Sequence, residues 1–244
     1  MLQVCLNGAR SRAECGRLPV TAEELAVAAR EAVAAGAEDV HLHPKDGDGR
    51  DTLEADAVAA AVSAVRVAVP GIPVGVTTGA WATPDPRARA AQVRAWSVLP
   101  DHASVNWHED GAAEVAEALL ERGIGVEAGV YSGTPAARRF LDWPGSGRVL
   151  RVLAEVTDTS LRGALEAAAG LLDALAPARA PILLHGEDAA AWPVLRLAAA
   201  RRLHARIGLE DVLHLPGGAP APDNAALVRA AREIIRHTPA ATPA

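Results

Sequence analysis

Short apolar runs alternate with longer Ala/Leu/Glu/Arg-rich stretches from one end of the chain to the other. The runs are Val4–Leu6, Val40–His43, Ile72–Val76, Ala103–Val105, Ile124–Val130, Val149–Leu153, Pro181–His185 and Ile207–Leu209, each the length of a buried strand. Between them apolar residues recur at helical spacing. Thr21-x-x-Glu24 is a capping box that opens the first helix, and Gly36 suits its stop. Further helices are expected at about Glu54–Val67, Asp85–Trp96, Ala112–Arg122, Thr134–Leu141, Leu161–Leu175, Ala189–Leu203 and Asn224–His237. Eight strands, each followed by a helix, predict a parallel sheet with helical crossovers. Eight such units in 244 residues fit a closed (β/α)8 TIM barrel, which takes about 250 residues. An open doubly wound sheet often carries a glycine fingerprint in its first turn, and Asn7-Gly8-Ala9-Arg10 has none. The expectation is one α/β barrel domain over residues 1–237, with the Pro/Ala-rich stretch 238–244 as a disordered tail.

Composition narrows the function classes. Half of the residues are apolar and 22% are charged, which excludes a disordered chain, a collagen and a coiled coil. Apolar stretches are broken well before the ~18–20 residues of a membrane span. A net charge of −6 leaves no basic footprint for nucleic acid or an anionic membrane. Two cysteines, Cys5 and Cys15, are too few for a disulfide framework. The N-terminus does not follow a charged segment with an apolar one, so no signal peptide is expected and the expected compartment is a reducing cytoplasm.

Barrel enzymes place their chemistry at the C-terminal ends of the strands. Those ends read Asn7-Gly8-Ala9-Arg10, His41-Leu42-His43-Pro44-Lys45-Asp46, Thr77-Thr78-Gly79-Ala80-Trp81 and Ser104-Val105-Asn106-Trp107-His108, then Glu127-Ala128-Gly129, Glu155, His185-Gly186-Glu187 and Gly208-Leu209-Glu210-Asp211. They are far more polar than the strand bodies. His41 and His43 alternate along one strand and so share a face. Two imidazoles at a barrel mouth make half of a zinc site, and taken alone the pair equally suits two hydrogen-bonded histidines. Glu210, at the end of the eighth strand, is a carboxylate at the right height for a third ligand; a helix-start acidic pair with Asp211 is the plain alternative.

Asn7-Gly8-Ala9, His41-Leu42-His43 with Asp46-x-Asp48-Gly49, Thr77-Thr78-Gly79, Arg206-Ile207-Gly208-Leu209-Glu210-Asp211 and Asn224-Ala225-Ala226-Leu227-Val228 appear in that order. Together they resemble the β-keto acid cleavage enzymes, over about residues 2 to 237. The resemblance implies a zinc-bearing barrel that joins a β-keto acid with acetyl-CoA and returns acetoacetate and a new acyl-CoA. It places His41, His43 and Glu210 on the metal ligands, Arg206 and Asp211 on a catalytic pair, and Thr77 on a catalytic hydroxyl. Ser104, Asn106 and Glu127 fall on positions lining the pocket, and Thr78, Gly79 and Arg10 complete the substrate-binding set. The resemblance also implies a homo-oligomer, often a tetramer. In this reading Zn2+ polarises the ketone, and Asp211 is the base that makes acetyl-CoA a carbanion equivalent, with Arg206 orienting it.

The chain is shorter than is usual for that family, so strand-end loops are trimmed. The second acidic position of the family's fifth strand is Gly129 here. Arg10 argues for a polar or anionic substrate tail; an exposed loop arginine is the alternative, since Arg12 and Arg17 follow it. Glu155, His185, Glu187 and His108 also sit at strand ends without an assigned role beyond partners of the metal histidines. Three rival readings are an amidohydrolase, a CoA-independent metal-dependent aldolase or lyase, and a non-catalytic ligand-binding barrel. The first needs its His-x-His on strand one and further histidines after strands five and six, where this chain has Glu127 and Glu155.

Overall fold

The computed structural model describes residues 1–157 and 160–240. Among them eight strands close into a parallel barrel in chain order: β1 Leu2–Cys5, β2 Asp39–Leu42, β3 Val74–Thr77, β4 His102–Asn106, β5 Gly125–Tyr131, β6 Arg151–Val156, β7 Ile182–Gly186 and β8 His204–Ile207. The helices are α1 Ala22–Ala34, α2 Ala55–Ala68, α3 Pro86–Ala95, α4 Ala112–Glu121, α5 Ala136–Asp142, α6 Leu161–Ala174, α7 Ala191–Ala200 and α8 Asn224–His237. The Thr21–Glu24 capping box is present at α1. The expected single helix over Ala189–Leu203 is instead a 3-10 turn at Asp188–Ala190 followed by α7. None of the described helices is long and apolar enough to cross a membrane. The proposed tail starts at the C-cap of α8, Thr238, and residues 241–244 lie outside the described residues.

The apolar core lies between sheet and helices, where Val4, Val40, Leu42, Val74, Val76 and Ala103 are all 0% exposed. The barrel interior is polar instead. Registers place Gln3 beside Asp39 and Arg206, Gly75 beside His102, and Glu127 beside Ser104 and Arg151. Arg151 donates to Asp39 Oδ2 and Glu127 Oε1 at 2.5 Å each. Gln3 Nε2 donates to both carboxylates at 2.9 Å, and His102 Nε2 lies 3.0 Å from Asp39 Oδ1. Buried charges demand such mutual pairing, because an ion left alone costs several kcal/mol of desolvation. Gly75 makes room for this layer: a Cβ there would stand 2.0 Å from the His102 ring.

Candidate active site

His41 and His43 rise from β2 toward the open end of the barrel. Asn7, just past β1, fixes the backbone of His43 from both sides: its Oδ1 accepts from His43 N (2.8 Å) and its Nδ2 donates to His43 O (2.9 Å). The third residue arrives by a route the sequence did not suggest. A strand running through Glu210 would leave Arg206 about 13 Å below it. In fact β8 stops at Ile207 and the chain turns, with Asp211 N and Val212 N both donating to Gly208 O at 3.0 Å. Asn224 at the start of α8 pins this turn to the end of β1, accepting from Leu209 N and donating to Leu6 O, each at 2.9 Å. Arg206 therefore reaches both acids, donating to Asp211 Oδ1 (2.9 Å) and Glu210 Oε1 (2.8 Å).

His41 Nε2 stands 3.9 Å from Glu210 Oε2, and His43 Nε2 stands 3.6 Å from Glu210 Oε1. One ligand atom from each of the three residues falls within 4.8 Å of the other two. Glu210 Oε2 is buried with no hydrogen-bond partner among the described residues. Two imidazoles and a carboxylate, with further positions open, are the donor set of a catalytic divalent-metal centre. The electrostatics separate the histidines. Burial lowers His41 to about 4, against the opposing charge of Glu210, so it is held neutral, the form able to bind a cation. Burial acts the same way on His43, but Glu210 and Asp51 outweigh it and raise His43 to about 9. A cation in the centre would displace that proton.

Asp211 is fully buried, and burial, opposed by the Arg206 charge, pushes it up to about 6. Its Oδ2 has no partner among the described residues. His185 lies nearby, 3.7 Å from Asp211 Oδ1 and 3.4 Å from Glu155 Oε2; burial and Arg206 lower it to about 3. Glu187 is pushed up to about 7 by burial and by Glu155. A cavity of about 330 Å³ opens above these groups, lined by Arg10, His43, Trp81, Tyr131, Glu187 and Glu210 among others. A larger cavity, about 540 Å³, lies against α1 and the start of α8. It is lined by neither His43 nor Glu210, both of which line the smaller one, so the smaller cavity is the one that adjoins the candidate site.

The remaining sequence-predicted residues divide. Thr77 and Ser104 pair across β3 and β4 on the inner face. Thr77 Oγ1 accepts from Gly79 N at 3.1 Å, which leaves its own hydrogen free to donate. Asn106 donates to Glu109 at 2.9 Å, and a Cβ on Gly129 would meet Asn106 Oδ1 at 2.7 Å, which accounts for the glycine there. Thr78 donates to the Ser104 carbonyl at 2.7 Å, so its hydroxyl is committed to the backbone. The sequence pattern puts Glu127 at a strand end, but β5 runs on to Tyr131. Glu127 is 0% exposed and belongs to the buried network, 3.8 Å below His41 Nδ1. Arg10 faces the cavity but is engaged, donating to Asp188 (2.7 Å) and to the Glu210 carbonyl (3.0 Å). The positive charge expected for an anionic tail is thus already paired.

Three side chains around the candidate site carry no assignment from the sequence. Tyr131, the sole tyrosine, ends β5 and lines the cavity. Asp39 precedes His41 on the same face, a period-2 signal that was there to be read. Asp51 touches His43, and its only sequence signal is the turn-forming Asp46-x-Asp48-Gly49 before it.

Comparison with known proteins adds two findings. The profile of the beta-keto acid cleavage enzyme family matches residues 1–141 and 152–244. Among solved structures, the chain is similar to the 3-dehydroquinate dehydratase from Geobacillus kaustophilus HTA426, with a TM-score of 0.59 at 13% identity, covering 96% of this chain and 89% of that one. It also matches a mandelate racemase/muconate lactonizing enzyme from Roseiflexus sp. at a TM-score of 0.45 and 14% identity, covering 76% of this chain and 47% of that one. At such identities the likeness to the dehydratase shows the barrel fold alone.

Proposed function

Since the chain belongs to the beta-keto acid cleavage enzyme family, we propose that it converts a β-keto acid and acetyl-CoA into acetoacetate and a new acyl-CoA, at a zinc centre held by His41, His43 and Glu210. The observation that carries this reading is the convergence of those three ligands within 4.8 Å directly beside the Arg206–Asp211 pair. Zinc supplies a Lewis acid for the ketone oxygen of the substrate.

Atom balance corrects one step expected from the sequence. Acetoacetate assembled from the acetyl group and the CH2–COO⁻ of the keto acid requires the keto acid's own C2, not the acetyl methyl, to be the nucleophile. Asp211 takes the C2 proton on Oδ2 while Arg206 holds its other oxygen. C2 attacks the thioester carbonyl and CoA leaves as thiolate. The thiolate then adds to the original ketone, the C2–C3 bond breaks, and C2 recovers its proton from Asp211. The Thr77 hydroxyl donates to the oxygen on which negative charge develops. The enzyme is read as a homo-oligomer acting on small molecules.

The test is metal analysis of the purified protein alongside a screen of β-keto acids with acetyl-CoA for acetoacetate. The expected result is about one zinc per chain and acetoacetate with at least one acid, which also identifies the acyl group. His41→Ala should lose most of the bound metal; unchanged metal content would remove the zinc assignment. Zinc without acetoacetate would move the reading to a CoA-independent aldolase on the same barrel.

A further inference from the structure

Asp51 lies on no strand, yet three parts of the site meet on it. The segment after β2 explains how. Asp46 Oδ1 accepts from Asp48 N and Arg50 N, each at 2.9 Å, and Gly49 adopts a φ of +78° that favours glycine. Asp46 N donates to Arg50 O (2.8 Å) and Thr52 N to Pro44 O (3.0 Å), so Lys45 and Asp51 face each other as an antiparallel bridge. The Asp46-x-Asp48-Gly49 motif is thus the turn that returns the chain to His43.

There the Asp51 carboxylate collects three donors. Its Oδ2 lies 2.7 Å from His43 Nδ1 and accepts from Trp81 Nε1 at 2.6 Å. Its Oδ1 accepts from Lys45, the only lysine in the chain, which also donates to Gly8 O at 2.6 Å. An ionised carboxylate only accepts, so His43 Nδ1 carries the hydrogen and Nε2 is left facing Glu210. An independent observation concerns Trp81. Its ring lies over that of His43, with centroids 5.8 Å apart and planes 12° from parallel. A Cβ on Gly79 would stand 2.2 Å from Trp81 Cζ2, so the glycine leaves the space into which the indole folds.

Resting on the zinc reading above, we infer that Asp51 is the positioning residue of this centre: it fixes His43 to ligate through Nε2 and clamps Trp81 as one wall of the substrate cavity. Metal affinity and pocket shape then depend on one side chain outside the ligand set. Outer partners of metal-bound histidines act in this way by fixing tautomer and ring orientation.

The experiment is zinc titration of metal-free wild type, Asp51→Asn and Trp81→Phe by calorimetry, with acrylamide quenching of tryptophan fluorescence in parallel. Asparagine keeps the shape but loses the charge and one acceptor. The zinc Kd of Asp51→Asn should rise about 10- to 100-fold. Its acrylamide quenching should also grow stronger, because Trp81 is 47% exposed, while Trp96, Trp107 and Trp192 are buried and Trp143 is half-buried against Trp107. Trp81→Phe should remove the Trp81 share of the quenching, leaving only what half-buried Trp143 contributes, and keep the zinc Kd near the wild-type value. A wild-type Kd with unchanged quenching in Asp51→Asn overturns the inference. Should that variant not fold, imidazole ¹⁵N NMR of zinc-loaded wild type decides instead: a hydrogen on His43 Nδ1 supports the assignment and one on Nε2 overturns it. Wild type that binds no zinc sinks the zinc reading itself, a separate result.

Discussion

Asp211 and Glu210 are adjacent carboxylates with opposite tendencies. Arg206 and the two histidines hold Glu210 well below the usual carboxylate range despite its burial, which keeps it in the ionised form that a metal ligand needs. Burial dominates at Asp211 and pushes it up to about 6, closer to what a base that must also return its proton needs. In the proposed function, neighbouring groups driven apart in this way divide the work between binding and proton transfer. Replacing Asp211 by Asn should lower kcat by about 100- to 10,000-fold while zinc content and KM stay near wild type. Loss of zinc or a large rise in KM, measured by metal analysis and steady-state kinetics, would make Asp211 a structural residue.

At the scale of elements, the early end of β8 is what assembles the site. The Gly208–Asp211 turn sits against the β1 end so closely that a Cβ on Gly208 would stand 1.8 Å from the Cys5 carbonyl oxygen and 2.8 Å from its nitrogen. Backbone in a closed barrel cannot retreat as a flexible side chain can. Gly208→Ala should therefore destabilise the protein by about 2–4 kcal/mol, read from chemical denaturation, and should weaken zinc binding because Glu210 hangs from the same turn. A loss below about 0.5 kcal/mol, the range of neutral surface changes, would show that the β1–β8 seam yields.

Across the whole molecule, the charged interior ties stability to pH. His102 is buried; burial alone would lower it, but Glu127 and Asp39 raise it to about 10. An unfolded chain releases the same proton near pH 6.5. The contribution of His102 is therefore complete below about pH 6.5 and is lost as pH rises through about 10. Asp39 and Glu127 are shifted down, so their share is present above about pH 4.5 and fades in acid. Denaturation measured between about pH 6.5 and 7.5 should show wild type losing stability relative to His102→Gln, a window below the range where unfolded Cys5 and Tyr131 ionise. Parallel curves would show that His102 is neutral in the folded barrel.

What the sequence determined by itself is what local periodicity and order along the chain encode. Eight apolar runs with helical stretches between them specified the barrel, and alternation put His41 and His43 on one face. The motif order, Asn7 to Asn224, carried the family and with it Glu210, Arg206 and Asp211. What only the tertiary structure decided depends on where a strand stops and on which side chains meet across a closed sheet. A run such as Ile207-Gly208-Leu209 reads as strand, and only the packing of Gly208 on Cys5 turns it aside and brings Arg206 to Asp211. Glu127 reads as a pocket residue, and only the continuation of β5 to Tyr131 buries it with Arg151. Asp51 carries no sequence signal of its own, and only the folded hairpin sets it against His43. Periodicity reports which face a residue occupies. The distance between residues far apart in sequence is set by the curvature and closure of the barrel, which no local pattern contains.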